Sequence, residues 1–489
     1  MNGYSVEQVR TLEQRAMSAL PDGVLMQRAA AGLTAILAAE LVRRRGGVYG
    51  ARVLIMVGPG NNGGDALYAG ARLARRGASV TALRCVGTPH AAGLAALQAA
   101  GGVVTELADP GRPASTSWTV DLAVDGIFGI GGRPGLPDPV AELAVSLQAS
   151  GVPVVAVDLP SGVECDTGAV PAASFHAVRT VTFGAMKICH LVEPARSRCG
   201  ELDLVDIGLD LSGGQPTLTA AEESMLASSW PFPDERSNKY TRGVVGIDTG
   251  SDAYPGAGIL STHGAVYAGA GMVRFLGPAA AAQVIRAELP NVVFAPGRVQ
   301  ARLFGSGWGE RPDGARVIAE ALESELPSVV DADGLRYLPP RLPPSWLLTP
   351  HAGELARLLD GDRAEVEADP IGAVRAGADL TGATVLLKGA TQLVARPGTS
   401  EVQVAIPGPA WTGQAGSGDV LAGVCATLLA AGKRADAAAV LGASLQAVTA
   451  ASVPGPLPPH ELARHFARVL GALESRAPDR CGRKDLWTH

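Results

Sequence analysis

The sequence predicts an α/β protein with two domains, each built on a mostly parallel β-sheet. Three observations lead to this prediction. The chain has 489 residues, which is more than one ordinary hydrophobic core accommodates. Short apolar runs that end in Gly or Asp alternate with Ala-, Leu- and Arg-rich stretches, the pattern of a covered parallel sheet. A turn-rich break between residues 211 and 238 separates two such alternations.

The elements follow in order along the chain. In the first half we predict strands near 52–57, 79–84, 119–124, 152–157, 179–183 and 202–206, with helices near 65–76, 90–100 and 138–149. The alternation restarts at 244–248 and continues through apolar segments near 272–276, 327–331, 346–348 and 383–388. Ala-rich helices near 417–431, 435–452 and 459–473 complete it. We therefore predict one domain over 1–213 and a second over 222–489.

Composition excludes several classes of protein. A hydrophobic share of 47% with a net charge of -6 excludes a disordered chain and disfavours a basic nucleic-acid-binding surface. The six cysteines lie far apart without a C-x-x-C pair, which predicts buried thiols rather than disulfides or a zinc site. No signal peptide is apparent, and the apolar run 29–39 is too short to cross a bilayer. We predict a cytoplasmic protein with neither a membrane nor a nucleic-acid partner.

A glycine-rich turn follows the first predicted strand, over Gly58-Pro-Gly-Asn-Asn-Gly-Gly-Asp65. Its glycines allow close backbone approach, and a helix that starts at Asp65 offers free N–H groups to an anion. The turn is neither G-x-G-x-x-G nor a P-loop, because no Lys-Ser/Thr follows, so nucleotide hydrolysis is disfavoured. Asn61 and Asn62 supply more amide oxygens than a turn needs, which favours a binding site.

Two further strands end in an aspartate followed by a glycine-rich loop, at Asp125 and at Asp158. The carboxyl ends of neighbouring parallel strands form the ligand crevice of an open sheet, so both should converge with Asn62 and Ser161. Uncharged oxygens beside one carboxylate suit a monovalent cation better than Mg²⁺. The alternative for a single aspartate is a helix cap, but three such strand ends in one domain favour a site.

The second half places a similar pattern at the start of a long apolar helix. In Ala415-Gly-Ser-Gly-Asp-Val-Leu-Ala-Gly423, free N–H groups suit an anion, and Asp419 is positioned to take a hydroxyl proton as phosphoryl transfer begins. The structural alternative is an ordinary glycine-rich cap. Lys388, one of the few lysines in an Arg-rich chain, ends another strand. Supporting segments are 254–258, 304–309, 330–334 and 348–354.

These motifs resemble the bifunctional NAD(P)H-hydrate repair enzymes over nearly the whole chain. The first-half motifs G-P-G-N-N-G-G-D, V-D-G-I-F-G-I-G and D-L-P-S-G, with the stretch 180–187 that contains Lys187, resemble the epimerase domain of that family. The second-half motifs Y-P-G-A, G-S-G-W-G, D-A-D-G-L, L-T-P-H-A-G-E, L-K-G and A-G-S-G-D-V-L-A-G resemble its dehydratase domain. The resemblance implies a Rossmann-like first domain and a ribokinase-like second domain.

The resemblance implies that the first domain interconverts the R and S hydrates of NADH and NADPH. The residues it assigns to hydrate binding are Asn61, Asn62, Gly63, Gly64, Asp65, Gly129, Ile130, Gly131, Gly132, Arg133, Pro134, Gly135 and Asp158. It also implies potassium binding by Asn62, Asp125 and Ser161. The stereocentre carries a hydroxyl next to a ring nitrogen, so epimerisation needs a nearby acid–base carboxylate. Asp125 and Asp158 are both candidates, and the sequence leaves that choice open.

For the second domain, the resemblance implies dehydration of the S hydrate with conversion of ADP to AMP and phosphate. The residues it assigns to the hydrate are Ala257, Gly307, His351 and Asp419. Those assigned to the nucleotide are Lys388, Gly389, Ala390, Thr391, Gln392 and Gly418. Asp419 would deprotonate the hydroxyl, the N–H groups of 416–418 would stabilise transferring charge, and Mg²⁺ would neutralise phosphates with Glu354 as outer-shell partner.

A rival hypothesis is a ribokinase-like small-alcohol kinase with a non-catalytic, nucleotide-sensing first domain, since the G-x-G-D signal alone permits it. The residues do not decide between ADP and ATP. We also expect a homo-oligomer.

Overall fold

The computed structural model describes residues 1–107, 119–212 and 214–476. It divides into two compact units, over Asn2–Thr217 and over Leu218–His489 together with Met1. Both units are α/β with sheets made mainly of parallel strands, which confirms the predicted fold class. Cys481, one of the cysteines predicted to be buried, lies outside the described residues.

The first unit holds strands β1 (Asn2–Tyr4), β2 (Arg52–Val57), β3 (Ser79–Arg84), β4 (Val103–Glu106), β5 (Leu122–Gly126), β6 (Val154–Val157), β7 (Arg179–Phe183), β8 (Met186–Lys187) and β9 (Glu201–Val205). Its helices are α1 (Val6–Ala19), α2 (Val24–Arg45), α3 (Asn61–Arg75), α4 (Ala91–Ala99), α5 (Asp138–Ala149) and α6 (Arg196–Cys199). Its main sheet is parallel throughout, in the order β4-β3-β2-β5-β6-β7-β9. The chain order reverses at β2, as in a Rossmann-like sheet, so a crevice opens between the ends of β2 and β5.

Helix α2 is longer than its apolar run suggested. It has 22 residues and is long and apolar enough, by length and composition, to cross a membrane. However, Leu33, Leu37 and Leu41 are fully buried in the core of the first unit, where they pack beneath the sheet. Its apolar residues are therefore explained by core packing.

The second unit holds β10 (Leu218–Ala220), β11 (Val244–Asp248), β12 (Met272–Phe275), β13 (Ala301–Phe304), β14 (Ser328–Val330), β15 (Leu347–Leu348), β16 (Thr384–Leu387), β17 (Leu393–Ala395) and β18 (Val402–Val404). Its helices are α7 (Glu223–Ser229), α8 (Pro255–Tyr267), α9 (Ala279–Glu288), α10 (Gly314–Glu323), α11 (Ala352–Leu358), α12 (Arg363–Ala368), α13 (Pro370–Thr381), α14 (Ser417–Ala430), α15 (Ala435–Ser452), α16 (Pro459–Arg464) and α17 (Phe466–Glu474). Its strands run in the order β12-β11-β13-β14-β15-β16-β17-β18-β10, and β17 is antiparallel to both neighbours.

Helices α8 and α14 pack closely against each other in this unit. Helix α14 is apolar all round and almost wholly buried, which is typical of a central core helix. A Cβ at Gly264 of α8 would lie 2.1 Å from the Val420 carbonyl oxygen, and one at Gly423 would lie 2.1 Å from the Ser261 carbonyl oxygen. Only glycine permits this approach, which holds the second and third turns of α8 against the first two turns of α14.

Several predicted boundaries need correction. Helix α3 begins at Asn61 rather than at Asp65, so Asp65 lies in its second turn. The single helix predicted over 459–473 is two helices, because the chain leaves α16 at His465 before α17 starts. Strands β1, β4, β8, β10, β13, β17 and β18 were not predicted; β13 directly precedes a segment interpreted only as a loop.

Candidate functional sites

In the first unit, the turn between β2 and α3 lies directly against the loop that follows β5. A Cβ at Gly58 would stand 2.3 Å from the Ile127 carbonyl oxygen, so the two loops touch through backbone. Gly60 adopts φ 88° as the residue before α3, which leaves the first N–H groups of the helix, from Asn61 onward, open to a ligand. The anion-binding helix start predicted at Asp65 is therefore four residues earlier.

Asp125 and Ser161 form a buried network behind these loops. The Ser161 hydroxyl donates to Asp125 Oδ1 at 2.7 Å and accepts from the Phe128 N–H at 2.9 Å, while the Ser161 N–H donates to Asp125 Oδ2 at 2.7 Å. Burial raises the pKa of Asp125 to about 6, against the lowering effect of these donors. No Lys or Arg contributes to the electrostatics of Asp125 within the described residues, so its charge has no cationic partner in that part of the chain.

Asp158 is held in its ionised form by Lys187. Lys187 Nζ donates to Asp158 Oδ1 at 2.6 Å, to Thr182 Oγ1 at 2.8 Å and to the Phe183 carbonyl oxygen at 3.1 Å. Burial alone would raise the pKa of Asp158, but the Lys187 ammonium, aided by Thr182, outweighs burial and holds that pKa below its usual value. Asp158 also takes a left-handed φ of 70°, which the surrounding bonds stabilise.

His190 fixes the backbone of this corner. Its Nδ1 accepts from the Lys187 N–H at 3.0 Å, so Nε2 carries the proton and donates to the Asp158 carbonyl oxygen at 2.9 Å. Burial, followed by the Lys187 charge, lowers the pKa of His190 to about 4. The imidazole is therefore neutral near pH 7, and its hydrogen bond holds the Asp158 backbone in position.

A cavity of about 970 Å³ opens over these groups. Among the predicted site residues, those that line it are Asn61, Asn62, Asp65, Gly129, Ile130, Gly131, Gly132, Arg133, Pro134, Gly135 and Asp158. Gly63 packs on the Gly58 carbonyl oxygen and Gly64 on His90, so both are structural within α3. Asp125 and Ser161 lie behind the wall. The Asn62 amide lies beside Gly129 and Asp158, since a Cβ on Gly129 would be 3.2 Å from both.

Arg10 and Glu13 also line the cavity, and sequence reasoning missed them. Both belong to α1, which carries no glycine motif and begins with an ordinary capping box at Ser5. Their spacing of three residues places them on one helix face, but only the packing of α1 directs that face to the cavity.

In the second unit, the starts of α8 and α14 meet the loop after β13. A Cβ at Gly307 would lie 2.5 Å from the Ala257 Cβ, and Gly416 precedes α14 with φ 91°. A Cβ on Gly418 would stand 3.2 Å from Lys388 Nζ. The structure thus brings together Ala257, Gly307, Gly418 and Lys388, which lie far apart in the chain.

Lys388 and Asp331 form the centre of this site. Lys388 Nζ contacts Asp331 Oδ1 at 2.5 Å, while Thr349 and Ser306 donate to the two Asp331 oxygens at 2.8 Å each. Burial disfavours both charges. The Lys388 ammonium nevertheless lowers the pKa of Asp331, and Asp331, followed by Glu354, raises the pKa of Lys388. Asp331 was noted only as part of a strand-end pair, so its central role is new.

Asp419 lies next to this ion pair in the first turn of α14. Burial, followed by the negative charge of Asp331, raises the pKa of Asp419 to about 7, while the Lys388 ammonium and the nearby Ser306 hydroxyl oppose the rise. A carboxyl group with a pKa near 7 accepts a proton far better than an ordinary aspartate does. The site therefore holds two different carboxyl groups: Asp331, whose pKa is lowered, and Asp419, whose pKa near 7 suits a general base.

His351 serves as the N-cap of α11. Its Nδ1 accepts from the N–H groups of Gly353 at 3.0 Å and Glu354 at 3.2 Å, and Glu354 Oε2 accepts the His351 N–H at 2.8 Å. Its other nitrogen, Nε2, lies 3.3 Å from Glu354 Oε1. In the predicted nucleotide segment, Gly389 and Ala390 are exposed, Thr391 is half-buried, and the Gln392 side-chain oxygen is buried without a partner among the described residues.

Comparisons with known proteins match both units. The family model described as YjeF-related protein N-terminus matches residues 22–189, and the model described as NAD(P)H-hydrate dehydratase matches residues 245–457. The chain is 44% identical over 442 residues to the bifunctional NAD(P)H-hydrate repair enzyme Nnr of Mycobacterium tuberculosis (strain ATCC 25618 / H37Rv), covering 88% of this chain and 89% of that relative.

A second relative, of the same name, comes from Mycobacterium leprae (strain TN). It is 42% identical over 490 residues, covering 96% of this chain and 99% of that relative. Among solved structures, an ADP/ATP-dependent NAD(P)H-hydrate dehydratase from Bacillus subtilis, co-crystallised with ATP and Mg²⁺, is similar with a TM-score of 0.48 and 23% identity. That match covers 52% of this chain and 98% of that one.

Proposed function

The chain belongs to the family of bifunctional NAD(P)H-hydrate repair enzymes, and from this premise we propose that it performs both reactions of the family on separate sites. Residues 1–213 epimerise the R and S hydrates of NADH and NADPH. Residues 222–489 dehydrate the S hydrate to NAD(P)H and convert ADP to AMP and phosphate. A cytoplasmic location and a homo-oligomeric assembly stay predictions.

One observation carries the dehydratase assignment. Asp419, with a pKa of about 7, stands at the start of α14 beside the ion pair of Lys388 and Asp331. Asp419 removes the proton of the hydrate hydroxyl, whose oxygen attacks the terminal phosphorus of ADP, and AMP leaves. The ring nitrogen then expels phosphate from carbon, and loss of a ring proton restores the double bond of NAD(P)H. Lys388, Gly418 and the start of α14 stabilise charge on the transferring group.

The nucleotide is held by the segment Lys388–Gln392 and Gly418. The Gln392 side-chain oxygen is buried without a hydrogen-bond partner among the residues that the structure describes, which supports a polar ligand at this position, because an orphaned polar atom is otherwise costly. Ala257, Gly307 and His351 contact the hydrate. The likeness of the motifs supports these assignments, as does the proximity of Ala257 to Gly307 and of Gly418 to Lys388.

Magnesium fits this site only as a partner of the phosphates. Within the described residues no group of three His, Cys, Asp or Glu side chains is placed to hold a metal, and Mg²⁺ often binds through substrate phosphates with few protein carboxylates. When bound, it neutralises phosphate charge. Glu354, already bonded to the His351 N–H, stands as an outer-shell partner.

In the first unit, the hydrate occupies the cavity lined by Asn61, Asn62, Asp65, the loop 129–135 and Asp158. Asp158 keeps its negative charge next to the reacting carbon, while Asp125 stays behind the wall. Potassium fits at Asp125, Ser161 and Asn62, because the buried Asp125 charge lacks a cation and the Asn62 amide nitrogen is buried without a partner among the described residues. Turning that amide over presents its oxygen instead. A bound potassium ion neutralises the buried charge.

The test is a recovery assay at 340 nm with separated R and S hydrates. We expect recovery from the S hydrate with ADP and Mg²⁺, and recovery from the R hydrate faster than its spontaneous conversion. Parallel arms with ATP decide the nucleotide. Asp419→Ala should abolish recovery and leave epimerisation, followed by chromatography, intact. Phosphorylation of a vitamin or sugar without NAD(P)H recovery would instead favour the small-alcohol kinase.

A further inference from the structure

Asp65 is a buried acid that lines the cavity of the first unit. Its side chain is 8% exposed, it lines the cavity, and Oδ1 has no hydrogen-bond partner within the part of the chain that the structure describes. A buried, ionised carboxylate with a free oxygen is costly, and protonation or a bound ligand reduces that cost. The position therefore favours a neutral acid that meets a ligand.

The neighbouring charges reinforce this state. The three donors of Lys187 are all taken, by Asp158, Thr182 and the Phe183 carbonyl oxygen. Lys187 therefore stabilises Asp158 and has no hydrogen left for Asp65. The titratable and charged groups around Asp65 are Glu13 and Arg10 of α1, His90 at the start of α4, Asp158 after β6 and Lys187 of β8.

The electrostatics agree with the geometry. Burial, followed by the negative charges of Asp158 and Glu13, raises the pKa of Asp65 well above its usual range, against the Lys187 ammonium. Burial also raises the pKa of Glu13. One cavity thus holds an aspartate whose pKa is lowered and one whose pKa is raised, and groups whose environments separate their pKa values take different roles in acid–base chemistry.

Resting on the epimerase function proposed above, we propose that Asp65 is the catalytic acid of epimerisation and that Asp158 is its charged counterpart. Asp65 gives its proton to the hydroxyl oxygen, and the carbon–oxygen bond breaks with both electrons leaving on water. The ring-nitrogen lone pair forms a C=N bond, whose positive charge the Asp158 carboxylate stabilises. Water then adds to the opposite face of the carbon, the nitrogen regains its lone pair, and the released proton returns to Asp65.

Asp65→Asn tests this role, because the amide keeps the shape but cannot supply the proton. We expect the epimerisation rate to fall at least about 100-fold, measured by chromatographic separation of the hydrates. Dehydration of the S hydrate by the same protein stays within about twofold, since that site lies in the other unit. The matched control is Asp22→Asn, an exposed aspartate of the first unit, which should keep the wild-type rate.

A pH profile separates an acid from a structural residue. The wild-type epimerisation rate should fall at alkaline pH as Asp65 loses its proton. Glu13→Gln removes a negative charge that favours the protonated form, so this alkaline limb should move to lower pH by roughly half to one unit. A purely structural Asp65 would leave the limb in place.

The outcomes are distinct. If wild type does not epimerise the hydrates, the proposed function itself fails. If it does, and Asp65→Asn keeps more than about a third of that rate, the acid is another group and this inference is overturned. If Asp65→Asn loses both activities, the variant has failed to fold, and Glu13→Gln decides: a shifted limb supports Asp65, and an unshifted limb overturns it.

Discussion

Replacing Asp331 by Asn examines whether Asp419 controls dehydration through its ionisation. After burial, the negative charge of Asp331 is the largest cause that raises the pKa of Asp419 to about 7. Asparagine keeps the shape, and its oxygen can still accept from Thr349 or Ser306. The substitution removes the charge and releases the Lys388 ammonium toward Asp419. Both changes favour the Asp419 carboxylate, so its pKa should fall.

The magnitude follows from the ionised fraction. With a pKa of about 7, Asp419 is roughly one-tenth ionised at pH 6 and about nine-tenths ionised at pH 8, so the rate at pH 6 should be about a tenth of that at pH 8. A downward shift of about one unit, equivalent to about 1.4 kcal/mol, raises that ratio to about one half.

The assay measures kcat/KM for the S hydrate with ADP and Mg²⁺ at 340 nm between pH 5.5 and 9. The ratio of rates is the readout, so a lower absolute rate in Asp331→Asn does not obscure it. Asp436→Asn is the matched control. Asp436 is a buried aspartate of α15 that pairs with Arg396 and Arg434, and this variant should keep the wild-type ratio of rates. A ratio that stays near one tenth in Asp331→Asn would refute Asp419 as the titrating base.

Three other predictions follow from the packing and charges. Lys187→Met leaves the Asp158 carboxylate buried and without its ion-pair partner, and should lower the free energy of unfolding of the first unit in urea by about 3–5 kcal/mol. This loss should become smaller at acid pH, where Asp158 is protonated. Gly264→Ala forces a Cβ toward the Val420 carbonyl oxygen, and should lower dehydration and thermal stability while epimerisation of the same protein persists. Replacing potassium by choline should lower the melting temperature of the first unit and its epimerisation rate. If the potassium concentration is ten times its Kd, the free energy of unfolding should fall by about 1.4 kcal/mol when potassium is removed. Equal melting curves in the two salts would argue against a cation at Asp125.

The positions of most central strands along the chain and of the glycine-rich turns could be predicted because they depend on local pattern. Apolar runs place β2, β3, β5, β6 and β7 to within a few residues, and the predicted glycine-rich loops that start at Gly58 and Gly126 follow strands. The position of the helix after β2 was wrong by four residues, since Gly60 rather than Asp65 provides the conformation that starts it. Strand β13 was missed because the glycines after it dominate the local pattern.

The chemistry of the sites divides in the same way. The sequence by itself determined which residue types gather at the strand ends, since Asp125, Asp158, Lys388 and Asp419 stand at recognisable turns and helix starts. Only the tertiary structure decided their charge states. Lys187 pairs with Asp158 and Lys388 with Asp331, whereas the pKa values of the neighbouring Asp65 and Asp419 are raised by burial and by these carboxylates. Burial and ion pairing depend on residues far apart in the chain, so no local pattern encodes them.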